Sequence, residues 1–460
     1  MKTRTLLPAL FCVLAILLAT SCSSRHLDAR QESVPTYPET TFMVLSDTHF
    51  FDPSFGVSGP EWKHYMRNDR KLLAESKETL ETIIDRIVER HPDFVLISGD
   101  LTKDGEAEGH KLFAAELKKL TDAGIKPFVI LGNHDVVNFE AKRFTDTGSE
   151  SVPTITPAQF AETYAPYGYG DALSRDPASL SYVAEPVPGL WLLAIDSVKY
   201  ERNEKLGYAE ISGRVRAQTM TWITERLAEA KSKGKAVIAM EHHPTMEHIH
   251  DMKSKYGEYV LDNGAALTEM LAKNDVRFIF TGHYHAQSIV KKTFGDKYIV
   301  AVETGSPVTW PCEFRTVRFT GDGNAEFGSD RVDQLASYKN EGKDFDKDGY
   351  EVIAAGLKNI ATDTMKKFKV PDADCAKLTD GIVAAMMSHY KGDAKFTGTE
   401  VLSDKGLSIP GKLVVAVYRP FIEGLWKLRP PKGIELMSDN NLTIAADGME
   451  SGKDQQVAGK

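Results

Sequence analysis

Seven short apolar runs, TFMVLS, DFVLISG, KPFVILG, LWLLAID, KAVIAME, RFIFTG and KYIVAVE, punctuate the chain between residues 41 and 303. Each has strand length and β-branched content, which predicts a buried strand. Between them LLAESKETLETIIDRIVERH, EGHKLFAAELKKLTDAG and TMTWITERLAEAKSKG place apolar residues at helical spacing, with Lys, His or Gly near their ends. Strands alternating with helices predict an α/β fold whose sheet is largely covered. Sheets of this kind bind ligands just beyond the carboxyl ends of their strands.

Those carboxyl ends share a chemistry. TFMVLS runs into Asp47-Thr48-His49, and FVLISG into Asp100. FVILG is followed by Asn133-His134-Asp135, AVIAME by His242-His243-Pro244, and FIFTG by His283-Tyr284-His285. A single histidine at a strand end is ordinarily a packing residue. Five ends that together supply carboxylates, imidazoles and an amide point instead to a metal site. In extended chain, residues i and i+2 share a side, so Asp47 with His49, and His283 with His285, can face one pocket. Gly99, Gly132 and Gly282 let backbone approach closely beside these donors. Oxygen and nitrogen donors without thiolate suit Mn, Fe, Zn, Ni or Co, and the number of donors exceeds one tetrahedral site and suits two metals.

The blocks DTH, GDLTKDG, GNHD, HHP and GHYH resemble, in order as well as type, the five motifs of the calcineurin-like metallophosphoesterases, over residues 47 to 285. The resemblance implies a four-layer α-β-β-α sandwich and two divalent ions. One ion would be held by Asp47, His49, Asp100 and His285. The second would be held by Asp100, Asn133, His242 and His283, with Asp100 bridging. His242 is preferred to His243 because the family's ligand precedes x-Pro. His134 would stay off the metals and face the substrate, stabilising the transition state or protonating the leaving oxygen. Two ions about 3.5–4 Å apart would supply hydroxide near neutral pH. Asp135 is expected either to orient the His134 ring or to form a turn. GDLTKDG and HHP look closer to the branch containing cyclic-nucleotide and glycerophosphodiester phosphodiesterases, which favours a diester substrate. A monoesterase or pyrophosphatase, and a non-catalytic metal-stabilised binding lipoprotein, are the alternatives.

Composition narrows the partners. The 460 residues carry a formal charge of −9 with the signs interspersed, so no basic stripe tracks a nucleic acid backbone. A small phosphorylated substrate remains. MKTRT, then LLPALFCVLAILLA, then TSC predict a signal peptide over residues 1–21, of the bacterial lipoprotein type with Cys22 as the acylated residue; an ordinary secretory signal is the alternative. Residues 22–40 read as a tether, and the protein is expected outside the cytoplasm, meeting the membrane through its lipid anchor alone. The catalytic domain is expected over 41–334, closed by a hairpin in TVRFTGDGNAEF and by ETGSP. A mainly helical accessory domain is expected over 335–460, acting as a cap or docking module.

The remaining candidates have plainer expectations. Lys103 reads as a solvated loop lysine, and its place disfavours a tyrosinate-iron site. His248 and His250 read as exposed loop histidines, and His64 sits in an aromatic-rich insertion that could cover the site. Asp196 reads as a turn former. DFDKDG, Asp344 to Gly349, opens like a calcium loop but has Ala355 at the twelfth position, so a solvated turn is expected. Cys312 and Cys375 are free thiols or one disulfide.

Overall fold

The computed structural model describes residues 36–392, 402–427 and 430–446. The signal segment, Cys22 and most of the tether lie outside the described residues. Two sheets form the centre. The first holds β1 (Thr40–Leu45), β2 (Phe94–Ser98), β3 (Lys126–Ile130), β13 (Glu313–Phe319), β14 (Asn324–Arg331) and β16 (Leu442–Ala445), in the order β16-β14-β13-β1-β2-β3. A small ribbon, β4 (Lys142–Phe144) with β5 (Ser149–Ser151), stands apart. The second sheet contains β6 (Ser174–Arg175), β7 (Tyr182–Val187), β8 (Leu190–Ile195), β9 (Ala236–Glu241), β10 (Phe278–Thr281), β11 (Ser288–Phe294), β12 (Lys297–Glu303) and β15 (Ile434–Ser438). Its order is β15-β11-β12-β10-β9-β8-β7-β6.

Period-2 patterning explains the layers. In the second sheet Leu190, Leu192, Ile238, Met240, Phe278 and Phe280 face the shared core between the sheets. Their alternates Trp191, Leu193, Val237, Ala239 and Ile279 pack instead with Trp222 and Ile223 of helix Ala217–Ser232 and Leu267 of helix Gly264–Lys273. Both faces are therefore apolar, as a doubly covered sheet requires. Between the sheets, Phe42 of β1 meets Phe280 of β10 edge-on at 5.4 Å and stacks on Phe94 of β2 at 4.6 Å. Helices Ser76–Arg90 and Ala107–Asp122 complete the other outer layer.

Parallel pairing places the chemistry. β1, β2 and β3 run parallel in one sheet, and β8, β9, β10 and β12 in the other. Each sheet thus brings its carboxyl ends out along one edge. The expected hairpin is β13–β14, in antiparallel register from Glu313 with Arg331 to Phe319 with Ala325.

Beyond residue 335 the chain is helical as expected, with helices Phe345–Lys367, Asp372–Lys391 and Ile409–Lys427. It then returns: β15 pairs with β11 and β16 with β14, and the described residues form one compact unit. The tail is woven into both sheets, because the free edges of β11 and β14 offer unpaired backbone groups that a returning strand can satisfy. DFDKDG is the start of a helix and not a solvated turn: Asp344 caps Phe345–Lys367 by accepting from the Lys347 amide at 3.1 Å. Cys312 and Cys375 are both buried free thiols. Among the described residues no helix is long and apolar enough to cross a membrane.

Candidate metal centre

Five of the donor residues sit in the left-handed region of backbone space: Asp47 (φ 53°), His49 (φ 37°), Asp100 (φ 49°), His283 (φ 75°) and His285 (φ 63°). Such a conformation costs roughly 1–3 kcal/mol per non-glycine residue. The strain turns each strand end sharply so that its side chain aims across the sheet edge. Surrounding contacts hold it there. The His49 amide donates to the Asp100 carbonyl at 2.9 Å, and Ser306 of the ETGSP segment donates its hydroxyl to the Asp47 carbonyl at 2.7 Å. Gly282 leaves room for the crossing, since a Cβ there would stand 1.7 Å from Ser46 Oγ and 2.3 Å from Asp47 Oδ2.

All seven sequence-predicted donors converge. Asp47, His49 and His285 form one buried group, and Asp47, Asp100 and His242 another. Asp100 Oδ2 lies 3.7 Å from His49 Nε2 and 3.3 Å from His242 Nε2. Asn133 Oδ1 is 3.1 Å from His242 Nε2, and Asp47 Oδ1 is 3.3 Å from His285 Nε2.

Three rings have a fixed tautomer. His242 Nδ1 donates to the Ser98 carbonyl at 2.9 Å, leaving Nε2 as a lone pair. His285 Nδ1 reaches Thr309 Oγ1 at 2.8 Å; that hydroxyl spends its proton on the Arg70 carbonyl, so it accepts from the ring. His283 Nε2 donates to the Glu258 carbonyl at 3.2 Å, leaving Nδ1 free. The unprotonated nitrogens of neutral His283 and His242 then face each other at 3.0 Å, and His285 Nε2 faces His49 Nε2 at 3.1 Å. The opposed lone pairs of His283 and His242, with the buried and unpartnered Asp47 Oδ1 nearby, are the arrangement a cation resolves. Without one, the charge demand falls on protons. Burial opposes protonation of His242, yet the adjoining Asp100 carboxylate raises its pKa to about 9. The residues therefore fit divalent ions.

His134 stands beside this group. Its Nε2 is 4.0 Å from Asp100 Oδ2, and about a quarter of its side chain reaches solvent. Its ring is held by Asp104, whose Oδ1 accepts from Nδ1 at 2.8 Å. Burial pulls the His134 pKa down, but the Asp100 carboxylate and the Asp104 hydrogen bond outweigh it, and the net shift is upward. Asp135 takes the turn-forming role, accepting from the amides of Leu101, Thr102 and Gly132. Nothing in GDLTKDG marks Asp104 as this partner, because the ring it holds lies thirty positions further along the chain.

Lys103 is not a solvated loop lysine. It is fully buried, paired with Asp104 and Glu106, and 4.7 Å from the Tyr65 ring centroid. The aromatic insertion explains this: Phe51, Phe55, Trp62 and Phe144 make a small core of their own, and desolvation drives Lys103 onto its acidic neighbours. His64 itself is exposed. His248 is buried too, 3.4 Å from Glu303, while His250 is exposed as expected. Asp196 accepts from the Val198 amide at 3.0 Å, a turn former as read. His243 packs its ring 4.5 Å from that of His283 and falls in one donor group with His242 and His283, but both its nitrogens are engaged, by Ser197 Oγ and the Ile211 carbonyl.

A second missed residue is Lys71. It is buried beside the cluster, makes no hydrogen bond or ion pair among the described residues, and its charge depresses the His49 imidazole, second only to burial. An unpaired ammonium there is matched to a phosphoryl oxygen. Lys71→Met is expected to raise KM for a phosphoester and weaken inhibition by inorganic phosphate about tenfold, with bound metal unchanged; steady-state kinetics and metal analysis check this.

Residues 40–287 match the Calcineurin-like phosphoesterase family. The chain belongs to that family. Like its relatives it is a hydrolase of phosphoester bonds, with Asp and His groups able to hold metal. A protein of a Synechococcus strain named probable cyclic nucleotide phosphodiesterase is 24% identical over 249 residues, 53% of this chain and 78% of that protein. A Bacillus subtilis protein named as an uncharacterized metallophosphoesterase is 28% identical over 99 residues, 21% of this chain and 23% of that one. Among solved structures, a dimetal phosphatase from Danio rerio aligns with TM-score 0.45 and 14% identity, over 64% of this chain and 96% of that chain. A purple acid phosphatase from yellow lupin seeds aligns at 0.42 and 13%, over 65% and 52%.

Proposed function

We propose that this phosphoesterase hydrolyses phosphodiesters at a two-ion centre. One ion would be held by Asp47, His49, Asp100 and His285, the other by Asp100, Asn133, His242 and His283. When bound, such ions lower the pKa of a water and neutralise phosphoryl charge. His134 carries the reading. A structural metal clamp has no use for a partly exposed imidazole whose tautomer is set by a buried carboxylate. With Nδ1–H committed to Asp104, Nε2 is the atom that meets the substrate. It donates a hydrogen bond to a phosphoryl oxygen, or a proton to the leaving oxygen, when the ring is charged. Lys71 adds positive charge for the phosphoryl group.

The diester preference is supported by the GDLTKDG and HHP blocks and by the name of the Synechococcus relative. Hydrolysis of bis-p-nitrophenyl phosphate against p-nitrophenyl phosphate, with Mn and then with chelator, tests it. Faster turnover of the diester is expected. Preference for the monoester would turn the reading to a phosphatase or pyrophosphatase, and turnover of neither would leave a metal-stabilised binding protein.

The N-terminal pattern leads us to place the protein outside the cytoplasm on a Cys22 lipid anchor. Cys22→Ala is expected to abolish incorporation of labelled palmitate and release the protein from the membrane fraction. Retention of label in that variant would rule out acylation at this residue.

A further inference from the structure

Beside the candidate metal centre a cavity of about 260 Å³ opens between the catalytic loops and the C-terminal helices. That is near the lower end of the range for small-molecule sites, about 300–1,000 Å³. Its far wall is apolar: Leu357, Ala361 and Met365 come from helix Phe345–Lys367, Met386 from Asp372–Lys391, and Val415 and Phe421 from Ile409–Lys427.

Its near wall belongs to the site. Tyr259 lines the cavity and places its ring 4.9 Å from that of His283. Glu258 lines it as well, and its carbonyl accepts from His283 Nε2. Tyr284, between His283 and His285 in the chain, is a third member of this wall. The one cationic side chain on the lining is Arg70, next to Lys71. Arg70 Nη2 donates to Tyr259 Oη at 2.8 Å, and its guanidinium meets no carboxylate within ion-pair distance among the described residues. The cavity thus has a polar end, with Arg70 and Glu258, against the candidate metal ligands and an apolar body leading away. At the outer side Phe368 lines it with half its surface exposed, and Ile409, Leu413 and Val417, one helical turn apart, are exposed on the helix that supplies Val415.

We propose that the substrate is a phosphoester carrying an alkyl or acyl chain, with the phosphate at the two-ion centre beside Arg70 and Lys71 and the chain in this cavity. The assignment rests on the phosphoesterase reading above and narrows its substrate class. In the reaction, water oxygen bonds to phosphorus as the P–O bond to the leaving alcohol or phenol breaks. The leaving oxygen takes up the equivalent of the proton that water loses. Polar nucleotides would leave the apolar walls unfilled.

Binding and turnover separate the two readings. In the Mn-loaded protein, octylphosphonate is expected to bind at least tenfold more tightly than methylphosphonate by calorimetry, since each buried methylene is worth about fourfold. Ala361→Phe and Thr364→Phe, at two half-buried lining positions, are expected to remove that preference while methylphosphonate binding persists. Equal affinity for the two phosphonates in the wild type, or a preference surviving both substitutions, would overturn the proposal. Methylphosphonate binding and an unchanged melting temperature certify that a variant is folded, and either variant suffices. Octyl p-nitrophenyl phosphate should likewise be cleaved faster than its methyl analogue. If neither is cleaved while the phosphonate preference stands, hydrolysis fails and the cavity assignment holds.

Discussion

Asp100→Asn is expected to empty the candidate metal centre and to lower phosphoester hydrolysis by more than the roughly 10–100-fold that follows loss of an outer partner of a metal ligand. Asp100 is where the two groups of donors meet, with Oδ2 close to His49, His242 and His134. Asparagine keeps the shape, and Oδ1 can still accept from the His134 amide, a 2.8 Å contact in the native protein. What it removes is the negative charge that two neighbouring cations would share. Metal analysis after dialysis, with Mn titration of bis-p-nitrophenyl phosphate turnover, checks the result. Two equivalents of bound metal with undiminished turnover would refute the bridging role.

His134→Ala is expected to reduce kcat by about 10²–10⁴-fold, the usual worth of a general acid or base, while metal content stays at the wild-type level. His134 can be grouped with His49 and Asp100 as donors, but neither proposed donor set includes it, so its loss should leave the metals in place. Leaving groups divide its two possible tasks. If His134 protonates the leaving oxygen, the loss is greater for alkyl esters than for p-nitrophenyl esters, whose phenolate departs without help. A uniform loss marks transition-state charge stabilisation. Asp104→Asn is expected to give a smaller fall of about 10–100-fold. A metal-free His134→Ala protein would refute its placement off the metals.

The donors were legible because a strand end is a local event. Short unbroken apolar runs mark where β1, β2, β3, β9 and β10 stop, and parallel pairing carries those stops to a common edge. The order DTH, GDLTKDG, GNHD, HHP, GHYH therefore held the cluster before any coordinate. Burial of single polar residues was another matter. Lys103 and His248 have polar neighbours in sequence, which predicts solvated side chains. The first is enclosed by Phe51, Tyr65 and Phe144, segments up to about fifty residues away; the second sits by Glu303, fifty-five positions on. Beyond residue 335 the helices are as expected, but helical periodicity cannot announce that β15 and β16 return to the core sheets.

By itself the sequence determined the α/β layers, the five strand ends and the chemical type of the donors, because hydrophobic period and residue identity are properties of short windows. Only the tertiary structure decided that Asp104 and not Asp135 steadies His134, that Lys71 lies unpaired beside the cluster, and that an apolar cavity adjoins it. Those depend on which distant segments touch, and contact across the fold leaves no periodic trace along the chain.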